Sequence, residues 1–330
     1  MSKCFVCDST DNVPQGKFCL GKNKISSSLE SALEMPLVRC KNCGFVFVSS
    51  LPTDEEVDAY YKSDVFWQSK MTTSVKYDFP RWSDVFKNNP SLDERRHRAI
   101  RQFNYIAKLK NFDNTLSILD IGAGFSPFLY VCKQNKLKNL YAIEPSKEIC
   151  DFLKKQGVSI AANTFEEWFE KNENKKFDLI VVSHTLEHLK YPGYFLSNIS
   201  KYLTSNGVLY VEVPHRDDRH EIHGGLHFLF FNVATLRLAL EKYDFQVIDI
   251  KNMKYNFLGR VIRKLLLIYY VVSRFCYNKI KPQKSYSIQN TFFTFVYYKV
   301  WAPLIKIFNI ELYIYISSDD IVCLSSLNKK

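Results

Sequence analysis

The stretch Ile118-Leu119-Asp120-Ile121-Gly122-Ala123-Gly124 decides the fold. Its apolar residues read as a buried strand. The two glycines end that strand in a tight turn ahead of a helical pattern at residues 126–135. Glycine in such a turn lets a ligand approach the backbone, and the free amides of the following helix N-terminus face whatever binds. Glu144 closes the next strand candidate, 24 residues after Asp120. There a carboxylate can accept hydrogen bonds from both hydroxyls of a ribose.

Working outward, strands are expected at Leu116–Ile121, Leu140–Ile143, Val158–Ala161, Leu179–Ser183, Val208–Val213 and Gln246–Ile250. Helical patterns at 126–135, 146–156, 164–171, 192–203 and 231–242 fall between them, which predicts βαβ units and a parallel sheet with helices on both faces. Asp319–Leu324 reads as one more strand, so residues of about 251–316 interrupt the sheet before its last strand as a helical insertion. Upstream, Thr53 is placed to cap a helix running to Tyr61, and Leu92–Leu109 carries Ile100, Phe103, Ile106 and Ala107 at helical spacing. The expected divisions are residues 1–50, a cysteine module; 51–115, a helical linker or lid; and 116–330, the α/β domain with its insertion.

Two ligand classes use a turn of this kind. A dinucleotide enzyme places Gly or Ala at position 127, where close helix packing makes room for a pyrophosphate; this chain has Pro127. Asp120 adds negative charge beside the loop, which suits an ammonium or a sulfonium and repels a pyrophosphate.

With these residues in register, the chain resembles the class I S-adenosylmethionine-dependent methyltransferases. The resemblance rests on Ile118–Gly124, Ala142-Ile143-Glu144-Pro145-Ser146, Phe177–Leu189 and Leu203–Pro214. It implies a Rossmann-like sheet. It also implies that Asp120, Gly122, Ala123 and Gly124 hold the methionine end of S-adenosylmethionine, that Glu144 and Pro145 lie at the ribose, and that Asn163, Thr164 and Phe165 lie near the adenine. Ser183 and His184 complete the implied cofactor wall. The acid usual in the family at the adenine position is absent here.

Cys4-x2-Cys7 and Cys40-x2-Cys43 are two knuckles whose thiolates suit a closed, tetrahedral, structural Zn²⁺ site, with a redox pair or unpaired thiols as the alternatives. Nine cysteines, an odd number, fit a reducing compartment, and no apolar stretch of secretory length follows the N-terminus, so a cytoplasmic location is expected. The run Val38–Phe47 with Tyr60-Tyr61 is similar to the head of a bacterial methyltransferase group with a zinc-binding N-terminus, several members of which methylate sugars, including C-methylation of nucleotide-linked deoxysugars. That resemblance implies O- or C-methylation of a sugar or of a polysaccharide or glycolipid precursor.

Six of the seven histidines lie between 184 and 227. An alcohol or carbon acid acceptor needs a general base, and the ends of the fourth and fifth strands should face the ligand crevice. His223, His227 and His184 are the base candidates, with Glu221 as an orienting carboxylate; each histidine has a purely structural alternative.

The formal charge of +11 is uneven. From Lys251 onward there are 13 Lys and Arg against three acids, a balance of +10, which leaves +1 for the first 250 residues. That near-neutral body offers no phosphate-tracking groove, and Ser183-His184-Thr185-Leu186 replaces the motif usual in nucleic-acid amino-methylating enzymes, so no nucleic-acid partner is expected. Uncharged runs in the tail reach only 14 residues, short of the ~20 needed to span a bilayer. Its Lys and Arg flanking Tyr, Phe and Leu fit either a helical lid or, over 255–316, peripheral contact with the anionic inner face of a membrane. A small-molecule or nucleic-acid methyltransferase of another kind, or a non-catalytic module that kept the cofactor fold, are the competing functions.

Overall fold

The computed structural model describes residues 3–20, 34–57, 81–88, 90–171, 174–215, 222–223, 226–253 and 320–327. The chain divides into two compact units, residues 1–253 with 318–330, and residues 254–317. The described residues all belong to the first, and the expected insertion lies outside them. Among the described residues no helix is long and apolar enough to cross a membrane.

The larger sheet has seven strands. β4 (Ser117–Ile121) pairs in parallel with β5 (Asn139–Ile143) on one side and β7 (Phe177–Ser183) on the other. β6 (Ser159–Ala162) and β8 (Leu203–Pro214) continue outward in parallel. β12 (Asp320–Leu327) runs antiparallel between β8 and β11 (Phe245–Asn252), giving the order β6-β5-β4-β7-β8-β12-β11. The direction of strand addition reverses around β4, which places a ligand crevice beyond its carboxyl end.

Period-two alternation sorts the strands onto two cores. Ile118, Leu179, Val181, Tyr210 and Val322 pack on one face with α1 (Trp82–Asn88), α2 (Pro90–Leu109), α3 (Pro127–Gln134) and α4 (Lys147–Lys155). Leu119, Ile121, Ile180, Val182, Val211 and Ile321 pack on the other with α5 (Phe165–Lys171), α6 (Pro192–Ile199) and α7 (Val233–Lys242). The expected helix 192–203 is shorter: α6 stops at Ile199, a 3-10 turn spans Ser200–Tyr202, and β8 begins at Leu203 rather than Val208. The cause is a bulge. Phe177 faces Leu203 and Leu179 faces Val208, so the Thr204–Gly207 segment is extra backbone. At the other end of the chain, Thr53 caps a helical turn at 54–57, its hydroxyl accepting from the Glu56 amide while the Glu56 carboxylate accepts from the Thr53 amide.

The cysteine-bearing strands do not form a separate body. β1 (Asn12–Leu20), β2 (Glu34–Cys40) and β3 (Val46–Val48) make a second sheet that is extended by segments from beyond β8: β9 (Ile222–His223) beside β1, and β10 (Leu229–Phe230) beside β3. Cys4, Val6, Met35, Leu37 and Phe45 share one core with Leu119 and Val182. Phe231, fully buried, is the link: its ring lies 5.1 Å from Phe45 and 6.2 Å from Phe5. Lys242 ties the same corner, donating to the Phe5 carbonyl and pairing with Asp8 at 2.9 Å.

Because Phe231 joins the two sheets, Phe231→Ala should cost about 3–5 kcal/mol in denaturant unfolding, the usual price of emptying a buried aromatic site. A change below about 1 kcal/mol would show that the cysteine strands are stabilised independently of the larger sheet.

Candidate functional site

The crevice is built first by backbone. β4 ends in a turn in which Gly122 has φ 71° and Gly124 φ 54°. A Cβ at Gly122 would run into the Thr185 side chain, whereas one at Gly124 would meet nothing within 4 Å, so the second glycine opens onto space. Ser126, itself left-handed at φ 42°, caps α3 by accepting from the Leu129 amide, with Pro127 in the first helical turn. Its hydroxyl donates to Asp120 at 2.6 Å. Burial pushes the Asp120 carboxyl up to about 7; the Ser126 hydrogen bond opposes the rise and the charge of Glu144 adds to it.

Glu144, buried at the end of β5, crosses to the turn. Its Oε2 accepts from the Gly124 amide at 2.8 Å and its Oε1 from the Ser146 amide at 3.0 Å. Asp120, Gly122, Ala123, Gly124 and Glu144 are therefore brought together, while Pro145 is exposed beside them. Asn163 and Thr164 stand exposed after β6 in a reciprocal cap of α5: Asn163 donates its amide to Glu167, and Glu167 donates its own to Thr164. Phe165 packs edge-on to Phe195 at 5.1 Å and Phe169 at 5.6 Å, so its ring is committed to the core on one side.

Beyond β7 the chain turns at His184, which adopts φ 52° and donates its amide to the Glu212 carbonyl at 2.9 Å. A left-handed non-glycine residue is strained and persists where its surroundings fix it. Arg98 Nη1 lies 2.6 Å from His184 Nε2; burial and the Arg98 charge work against a proton on the ring, and the carboxylates of Asp320 and Glu187 outweigh them, pushing the imidazole well above its usual range. Gln102, one turn along α2, donates to Ser183 Oγ at 2.9 Å and to Glu212. Tyr210 also donates to Glu212 at 2.8 Å, and Asp320 from β12 comes within 3.7 Å of His184. Burial works against the Glu212 charge, and contacts with His184, Arg98 and Gln102 outweigh it, holding the carboxyl ionised down to about 2. No motif singles out this cluster; its legible sign is Glu212, a carboxylate within the apolar run of β8.

The next turn, Leu186–His188, carries Glu187 and His188. Glu187 is 1% exposed. His188 Nδ1 lies 2.6 Å from the Leu226 carbonyl, and its ring meets that of His227 edge to face at 4.7 Å. Of the base candidates, His227 clusters with Glu187 and His188, and His184 with Glu212 and Asp320 in a second, neighbouring group. His223 is placed by its backbone on β9, opposite Leu20, and Glu221 lies outside the described residues.

The four cysteines of the paired knuckles converge. Cys4 and Cys43 sulfurs are 3.6 Å apart, Cys7 and Cys40 3.5 Å, and all four lie within 4.8 Å of one another. Each knuckle repeats one backbone plan: the first cysteine carbonyl accepts from the residue after the second cysteine, Asp8 or Gly44, and both of those residues are left-handed. Cys132, Cys150 and Cys323 are buried and unbridged.

Residues 92–250 match the family described as a methyltransferase domain. (S)-tetrahydroprotoberberine N-methyltransferase of Eschscholzia californica is 24% identical over 169 residues, 49% of this chain and 47% of that protein, so the chain spans about half the length of the curated relative that it matches. Among solved structures, a SAM-dependent methyltransferase from Archaeoglobus fulgidus aligns at 18% identity over 70% of this chain and 93% of its own, with a TM-score of 0.42. Magnesium protoporphyrin IX methyltransferase from Synechocystis PCC 6803 aligns at 11% identity over 63% and 94%, with a TM-score of 0.43. The reversed strand order around β4 and the glycine turn make this a Rossmann-like α/β fold, and residues 92–250 of it are similar to the methyltransferase-domain family.

Proposed function

We propose that the protein is an S-adenosylmethionine-dependent methyltransferase that modifies a sugar or a polysaccharide or glycolipid precursor, with a structural zinc ion in its cysteine sheet. The observation that carries the cofactor assignment is the buried Glu144 carboxylate clasped to the Gly122–Gly124 turn, with open space where a Gly124 side chain would stand. In this reading Asp120 and the glycine turn bind the methionine end, Glu144 the ribose, and Asn163 to Phe165 border the adenine. When bound, the cofactor supplies an electrophilic methyl on a sulfonium. The protein's part is to line up the acceptor behind that methyl and to accept a proton from it.

Support for zinc comes from the donor set. Four thiolates around Zn²⁺ at about 2.3 Å form a tetrahedron with edges of roughly 3.8 Å, close to the 3.5 and 3.6 Å separations here. The role is structural, because four cysteines leave no open position. The sugar reading rests on the resemblance of the Val38–Phe47 head to sugar methyltransferases. An amine acceptor is the second reading, favoured by the name of the matched N-methyltransferase and by the anionic Glu187 at the crevice. The basic stretch 255–316 remains a proposed membrane-surface element or lid, and a cytoplasmic location part of the same proposal.

Calorimetry should show S-adenosylmethionine binding that Glu144→Ala weakens by about 10- to 100-fold, the value of one or two hydrogen bonds to a charged group; equal affinity in the variant would refute the cofactor site. Metal analysis should find one zinc per chain, lost in Cys40→Ser, and a variant that keeps its zinc would remove the metal from the cysteines. Mass spectrometry of nucleotide sugars, lipid-linked glycans and small amines incubated with enzyme and cofactor should show a one-methylene gain among the glycans. A gain confined to the amines would replace the sugar reading with the second.

A further inference from the structure

Glu187 presents a problem that the methyltransferase fold alone does not solve. Its carboxylate is buried, yet neither oxygen accepts a hydrogen bond among the described residues. The nearest ring nitrogens, His184 Nδ1 at 3.5 Å and His188 Nε2 at 3.8 Å, stand at ion-pair distance, beyond the length of a good hydrogen bond. Buried carboxylates are ordinarily satisfied by donors or by a metal ion.

The surroundings favour a metal. His188 Nδ1, 2.6 Å from the Leu226 carbonyl, carries a proton, and Nε2 faces Glu187 at 3.8 Å, where the neutral ring offers a lone pair to a cation. A ring proton given to a backbone carbonyl is the usual way a ligating imidazole is oriented. The coordinating atoms of Glu187, His188 and His227 lie within 4.8 Å of one another, and the two rings meet at 73°. The ligand segments are braced from both sides: the Phe228 amide donates to the Glu187 carbonyl at 2.8 Å, and the Val48 amide of the cysteine sheet donates to the Phe228 carbonyl at 2.9 Å. Two residues before Glu187, Thr185 donates to the Ile121 carbonyl at 3.0 Å, so the group stands at the rim of the crevice.

We propose that Glu187, His188 and His227 form a divalent-cation site whose open positions take two adjacent oxygens of the acceptor. Two imidazoles and one carboxylate leave coordination positions vacant, and this donor set suits a cation of the Mn²⁺ or Fe²⁺ type. The site rests on the methyltransferase reading and narrows it to an oxygen-rich acceptor. The cation lowers the pKa of a bound hydroxyl, whose proton passes to solvent. The oxygen then forms its bond to the methyl carbon as the sulfur–carbon bond breaks and that electron pair returns to sulfur. In this role His227 is a ligand and not the base.

The test is titration of the purified full-length protein with MnCl₂, following free Mn²⁺ by electron paramagnetic resonance, with S-adenosylmethionine affinity measured on the same samples. One Mn²⁺ per chain is expected. Glu187→Gln, which keeps the shape of the side chain, and His227→Ala should each weaken Mn²⁺ binding by more than about tenfold while cofactor affinity stays unchanged. No binding to the wild type, or equal Mn²⁺ affinity in Glu187→Gln, would overturn the site and leave the cofactor assignment standing. Mn²⁺ binding lost in both variants by a protein that binds no S-adenosylmethionine would support the cation site and overturn the methyltransferase reading on which its acceptor rests.

Discussion

The packing of Thr185 against the bare backbone of Gly122 is the constraint on which the functional end of the molecule depends. Any side chain at Gly122 would displace Thr185, whose hydroxyl is also bonded to the Ile121 carbonyl. Through this contact the turns after β4 and β7 are held together, and two sets of groups are set at fixed positions on either side of it. On one side stand Gly124, Asp120 and Glu144; on the other, His184 directly precedes Thr185, and Glu187 and His188 follow it within three residues. Neither strand end can shift without carrying its partner.

How much of this is legible in the sequence differs between backbone and side chains. The strands of the larger sheet are readable because β4, β5 and β7 are apolar runs, the first two ending at a glycine and a carboxylate, and because their period separates cleanly from that of the helices. Asp120, Gly122, Gly124 and Glu144 are found together for the same reason: each sits at the end of an element whose position the pattern determines. The polar group around His184 is another matter. Arg98 and Gln102 come from α2, Glu212 from β8 and Asp320 from a strand more than a hundred residues further on. Their meeting is a product of sheet order, and sheet order is not written in local periodicity. Glu212 offers a local sign, since a carboxylate in a strand buried on both faces must be matched by donors.

The cysteine sheet carries a similar lesson. Two Cys-x-x-Cys motifs announce a knuckle pair, and their left-handed residues, Asp8 and Gly44, repeat the same turn. The motifs do not announce that β3 pairs with Leu229–Phe230. That pairing needs only two residues on each side and has no periodic signature. Yet it places His227 and Phe228 between the cysteine sheet and the Glu187 turn, so the small sheet acts as a brace for the crevice wall as well as an appendage to it. The cluster of buried Phe45 and Phe231 with half-buried Phe5 makes the brace stiff, because aromatic rings in mutual contact cannot slide without opening voids.

Strand β12 fits its slot between β8 and β11 only after residues 254–317 have been synthesised. Until then a nascent chain presents β8, rich in Val208, Val211 and Val213, with one row of amides and carbonyls unmatched. The order in which the ribosome releases strands is therefore out of step with the order in which the sheet needs them. Such pairings, distant along the chain, close slowly and leave an edge open to foreign strands meanwhile. For this protein the hazard of misassembly is concentrated at β8, whose edge stays open from its own release until the arrival of β12.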